Sequence, residues 1–103
     1  MAIHKGWKVL RERRWSATRA GSPIQYPVGK WAKPRRGCGP LAVFSDERQA
    51  RDFALGFGTA HSCEFKASRF RHLWFLSRGE TCHSGDLPFP RGTRFADAVK
   101  TLE

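Results

Sequence analysis

The apolar positions of this 103-residue chain fall into short blocks separated by glycine, proline and charge. Trp7 and Val9, then Trp15 and Ala17, alternate with polar neighbours at the period of two that turns one face of a strand to a core. Arg11-Glu12-Arg13-Arg14 between them reads as the turn of a hairpin joining Trp7–Leu10 to Trp15–Arg19. Gly21-Ser22-Pro23 ends the alternation. Ile24 to Val28 reads as a short extended piece, held at a sheet edge by Pro27, which has no N–H to donate to a ladder. Lys33 to Pro40, with two Gly and two Pro, is a loop.

Leu41-Ala42-Val43-Phe44 is a compact apolar run and predicts a buried strand. Ser45 follows as an N-cap, with Asp46 and Glu47 at the positive end of a helix dipole. Ala50, Phe53 and Ala54 recur at helical spacing, and Gly56 or Gly58 closes a helix running from about Asp46 to Leu55. His61 to Lys66 alternates and predicts a strand, as does the apolar run His72-Leu73-Trp74-Phe75-Leu76. Leu87 to Thr93 is a proline-punctuated extended loop. The tail is ambiguous: Phe95, Ala98, Val99 and Leu102 at i, i+3, i+4 and i+7 fit a helix, with a final edge strand as the competitor.

These elements predict an α+β fold, a small, mainly antiparallel twisted sheet of four to six strands with one helix packed on a face. The expected core joins the helix positions Ala50, Phe53 and Ala54 to Val43, Phe44, Phe65, Leu73, Phe75 and Val99. The length suits a single domain, 1–103. Eight Phe and four Trp supply enough buried area for a core and argue against disorder. No apolar run reaches the length of a signal-peptide core or a membrane span, which gives the expectation of a soluble, cytoplasmic chain. Cys38, Cys63 and Cys82 are an odd count and read as free thiols.

Charge changes the picture more than composition does. Residues 1–36 hold ten Lys or Arg against one acid, Glu12, which is nearly all of the net +10, and three of the four Trp. Cations interleaved with rings suit a partner with phosphates to pair and flat bases to stack. The predicted binding residues are Arg11, Arg13 and Arg14 in the hairpin turn, with Lys30, Trp31, Lys33, Arg35 and Arg36 in the following loop. Trp31 is the ring expected to be exposed. The competing reading makes the tryptophans core residues and the charges a solvated face. The partner expected is nucleic acid, DNA or RNA, or an acidic protein surface, with no membrane, and binding is expected to be non-enzymatic.

Other constellations carry less. His61 and Cys63 share one face of a strand, and Cys38, Cys82 and His83 could complete a zinc site, but no Cys-x-x-Cys or His-x-x-x-His pair supports one. A small nuclease would draw on His61, His72 or His83 with Glu64 or Glu80, and an ADP-ribosyltransferase-like enzyme has its residue types present in no diagnostic order. Gly37-Cys38-Gly39-Pro40 lacks the Gly-Lys-Ser/Thr ending of a phosphate loop and reads as a tight turn. No catalytic residue, cofactor or metal is assigned.

Trp7-Lys8-Val9-Leu10, Ser16-Ala17, Tyr26-Pro27-Val28-Gly29-Lys30-Trp31, Pro34, Gly37 through Phe44, Ala50 with Phe53, Cys63-Glu64-Phe65, Pro90-Arg91-Gly92-Thr93 and Ala96-Asp97 resemble a loose group of small uncharacterised phage and prokaryotic proteins. The resemblance implies a shared fold and an extended segment after Pro-x-Gly-Thr, and carries over no site residue. It also implies an alternative role, a phage-type small inhibitor that binds a host defence or transcription protein.

Overall fold

A computed structural model describes residues 2–17, 24–71, 74–77, 80–83 and 89–103. The elements are β1 (Ile3–Leu10), one turn at Glu12–Arg14, β2 (Trp31–Ala32), β3 (Leu41–Phe44), α1 (Glu47–Phe57), β4 (Thr59–Ala67), β5 (Trp74–Ser77), β6 (Glu80–His83) and β7 (Thr93–Thr101). The class is the expected α+β, with every strand pairing antiparallel. The sheet, however, closes on itself. β4 pairs β1 along one edge and β7 along the other, β7 pairs β3, and β3 meets β1 at Trp7 and Phe44. β2 and β3 lie end to end along the same edge of β7. β5 and β6 form a separate hairpin.

Closure depends on one residue without a side chain. A Cβ on Gly6 would stand 2.7 Å from the Phe44 carbonyl oxygen and 2.9 Å from the Phe65 ring, so only glycine lets β1 cross the seam with β3. The turn at Pro90–Thr93 uses a second glycine. Gly92 takes φ +87° between the Pro90 carbonyl and the Thr93 N–H that it accepts, a conformation that disfavours a side chain.

Inside the closed sheet, Leu10, Tyr26, Val43, Cys63, Phe65, Ala96 and Val99 form one cluster. Burying each larger apolar side chain contributes roughly 1.5–3 kcal/mol. The helix makes a second cluster on the outer surface, where Ala50 and Ala54 pack on Val9 and Phe44, with Phe53 and Trp7 at the margin. The single core expected is therefore two, because neighbouring residues of one strand face opposite ways: Val43 and Phe44 belong to different clusters. Leu73 lies outside the described residues, as do the side chains of Phe75 and its hairpin.

The helix begins one residue later than expected. Asp46 is its N-cap, its carboxylate accepting from the Arg48 N–H at 2.9 Å, while the Ser45 N–H and hydroxyl donate to the Gly92 carbonyl at 3.0 and 3.3 Å. It ends at Gly58, where a Cβ would overlap the Leu10 carbonyl. The proposed first hairpin reduces to one isolated bridge, Leu10 with Ser16, since β1 takes β4 as its main partner, and Trp15 bridges instead to Gln25. The residues after Ala17 in that arm, 18–19, lie outside the described set.

The tail is a strand, and it lies between β4 on one edge and β2 and β3 on the other instead of at the sheet margin. Its helix-like spacing has a definite cause. The register with β4 slips between Lys66 and Ala67, so that Asp97 is an extra residue on β7. A bulge reverses the alternation, and Ala96 and Val99, three apart, both face the interior.

Candidate functional site

The basic residues of the first third do not form one surface. Arg13 is exposed at the turn, but Arg11 donates through Nε to the Ser16 carbonyl at 2.9 Å. Arg14 is held more firmly. Its Nε donates to the Tyr26 carbonyl at 2.7 Å, and one terminal nitrogen donates to Thr101 Oγ1 at 2.7 Å and the Glu103 carbonyl at 2.8 Å. Arg13 and Arg14 take φ of 57° and 63°, which costs roughly 1–2 kcal/mol per residue for a chain with side chains. Those three charge-assisted bonds offset that strain and fasten the turn to the C-terminal end of β7. Arg14 is thus a clamp, and Arg11 a brace within its own turn.

The second cluster stays outside. Lys30, Lys33, Arg35 and Arg36 are exposed around and beyond β2, where they are free to meet a partner. Trp31 lies in a strand instead of a loop and is half-buried. Its ring carries two ammonium groups, Lys66 Nζ at 4.7 Å and Lys100 Nζ at 5.1 Å from the centroid. The register explains how they meet. Trp31 pairs Lys100, Lys100 pairs Glu64 and Glu64 pairs Lys5, giving one lateral row across β2, β7, β4 and β1. Lys66 stands one step along β4, opposite Ala98, whose small side chain leaves it room to reach the ring.

This outer face therefore brings Lys66 and Lys100 to Trp31, with Glu64 the acid among them, Lys30 and Lys33 at the two ends of β2, and Lys5 at the far end of the row on β1. Glu64 holds Lys100 at 3.1 Å, both side chains being about a quarter exposed. Lys66 has no carboxylate partner among the described residues. An ammonium against a ring is worth about 0.5–1 kcal/mol at exposed sites, weak enough to be exchanged for a phosphate. Lys5, Lys66 and Lys100 join this face although the charge of the first third does not single them out. Their signal was the alternation Glu64, Phe65, Lys66 and Val99, Lys100, Thr101, which puts the charges on the face opposite the core.

A different set of ionisable groups is shut inside. Lys8 is 7 % exposed, donates through Nζ to the Ala42 carbonyl at 2.6 Å and lies 5.0 Å from the centre of the Tyr26 ring. Burial pulls its pKa down to about 8, and the nearby Cys63 opposes the shift. Burial likewise pushes the Cys63 thiol up to about 12, with Lys8 acting against the shift and Glu64 adding to it. Tyr26 is raised too, chiefly by burial, with the Ser16 hydroxyl acting against the shift and Cys63 adding to it. Such a thiol is a poor nucleophile and a poor metal ligand.

Among the described residues no group of three His, Cys, Asp or Glu side chains stands together as a metal site. Cys38 and Cys63 are free thiols. His61 is lowered by burial and by Arg14, against an opposing pull from Glu103, whose carbonyl lies 3.1 Å from its Nδ1. His72 and the side chains of Glu80, Cys82 and His83 lie outside the described set. No helix among the described residues is long and apolar enough to cross a membrane. No protein-family model, curated protein or solved structure matches this chain.

Proposed function

We propose that the chain is a non-enzymatic binding module for a polyanion, nucleic acid before an acidic protein surface, acting through the outer face of β2, β7, β4 and β1. The observation that carries this reading is Trp31 with Lys66 and Lys100 at 4.7 and 5.1 Å, flanked along the chain by exposed Lys30 and Lys33, with exposed Lys5 further along the same row. Phosphates would take the ammonium groups, and a base displacing them would find the indole beneath. A single strand suits this arrangement better than a duplex, because its bases are free to reach a ring set into a sheet. Arg13, Arg35 and Arg36 extend the positive field at longer range, whereas Arg11 and Arg14 serve the fold.

Titration of the tryptophan fluorescence with single- and double-stranded oligonucleotides at several salt concentrations tests the reading. Binding should weaken with salt, favour the single strand and fall about tenfold or more for Trp31→Ala, since stacking contributes roughly 1–3 kcal/mol per base. Absence of binding at low salt would remove nucleic acid as the partner and leave the acidic protein surface.

A further inference from the structure

Beside the β1–β3 seam, where those strands share only the pair Trp7 and Phe44, there is a cavity of about 130 Å³. Val9, Phe44, Phe53 and Phe89 supply its apolar walls, and Lys8 and Thr93 are the residues with polar side chains that line it, Lys8 reaching the seam through its bond to the Ala42 carbonyl. The volume is close to that of an apolar cavity of roughly 150 Å³ that takes up benzene. Two features here are each unfavourable alone. Apolar walls left open to water on one side forgo the free energy that covering them would release. A buried ammonium without a counter-charge carries a desolvation penalty. Lys8 has three donors and, among the described residues, one hydrogen-bond acceptor, the Ala42 carbonyl, which also lines the cavity; no described carboxylate pairs with it.

One kind of occupant removes both penalties. We propose that this cavity is a binding site for a small apolar carboxylate of about the size of benzoate, its ring between Phe44, Phe53 and Phe89 and its carboxylate on the Lys8 ammonium. A free phosphate would leave the aromatic walls unmatched and would want more donors than the site holds. A neutral hydrocarbon would cover the walls and leave the cation unpaired. Thr93 adds no donor, because its hydroxyl already donates to the Pro90 carbonyl at 2.6 Å. The site is separate from the outer lysine face and does not depend on nucleic-acid binding.

The test is calorimetric titration of the full chain with sodium benzoate and, as the neutral counterpart, benzyl alcohol. Benzoate should bind saturably and at least tenfold more tightly than benzyl alcohol. Lys8→Met should cost benzoate at least tenfold while leaving benzyl alcohol unchanged or improved. In the unsubstituted protein, benzoate should also slow acylation of Lys8, read by peptide mass spectrometry, at least fivefold relative to exposed Lys5 and Lys30. That footprint needs no variant, so it stands even if Lys8→Met fails to fold. Benzoate binding no tighter than benzyl alcohol, or acylation of Lys8 unaffected by benzoate, would overturn the proposal.

Discussion

Two lysines of this barrel stand at nearly the same distance from an aromatic ring, Lys8 at 5.0 Å from Tyr26 inside and Lys100 at 5.1 Å from Trp31 outside. Their surroundings make them opposites. Lys100 has a carboxylate at 3.1 Å and partial access to water, so its charge is compensated and available for exchange. Lys8 has a carbonyl, a ring and burial, and its pKa falls to about 8. The contact with a ring is therefore no measure of what a cation does; solvent and counter-charge decide.

The largest effect should appear in the pH dependence of stability. Lys8 binds its proton less well folded than unfolded, so its charge destabilises the fold below about pH 8, and that penalty is relieved as pH rises from 8 to 10.5. The shift corresponds to about 3 kcal/mol. Cys63 has the opposite sign. Its thiol keeps its proton in the fold up to about 12 against 9.0 unfolded, so stability is lost from pH 9 upwards, and Tyr26 adds to the loss above 10. Denaturant unfolding should show stability rising from pH 8 to 9, levelling, then falling. Lys8→Met should abolish the rise and be more stable at pH 7 by about 1–3 kcal/mol, as replacements of buried ions by apolar side chains often are. A profile unchanged by the substitution would place the charge of Lys8 in contact with water.

Arg14→Ala comes next. It removes the bonds to Tyr26, Thr101 and Glu103 while keeping two consecutive residues at positive φ, and should destabilise by about 2 kcal/mol in thermal or denaturant unfolding. Arg13→Ala, with an exposed side chain, should change stability by less than about 0.5 kcal/mol. Similar losses from both would deny Arg14 its role as a clamp.

The smallest effect on stability belongs to the outer face. Glu64→Gln breaks the pair with Lys100 and should move stability by less than about 1 kcal/mol, the usual range for pairs open to solvent. It should instead tighten oligonucleotide binding, because it frees an ammonium beside Trp31. Weaker binding would show that Glu64 positions Lys100 for the partner.

Much of the fold was legible in the chain. The step from Leu41–Phe44 into the helix, the strand around His61–Lys66 and the loop at Lys33–Pro40 all follow from short-range patterns. Closure was not legible, since it rests on Gly6 lying under Phe44, 38 residues away, and glycine in a strand has several meanings. The tail misled for a local reason, because the bulge at Asp97 converts a period of two into a spacing of three. For the candidate face, Trp31 and its neighbours Lys30 and Lys33 could be picked out from charge and aromatic content. Lys66 and Lys100 could not, because their significance lies in strand register and a local charge count dilutes them. Arg14 is the converse case: a cation in a turn looks available in the sequence, whereas in the fold its guanidinium is engaged by Tyr26, Thr101 and Glu103.

The salt dependence of oligonucleotide affinity, compared between the unsubstituted chain and the double variant Lys66→Ala/Lys100→Ala, tests the outer face most directly. If both ammonium groups take phosphates from a single strand, the slope of log affinity against log salt should fall in magnitude by about 1.4 and binding should weaken at low salt. An unchanged slope and affinity in the double variant would contradict the assignment of this face.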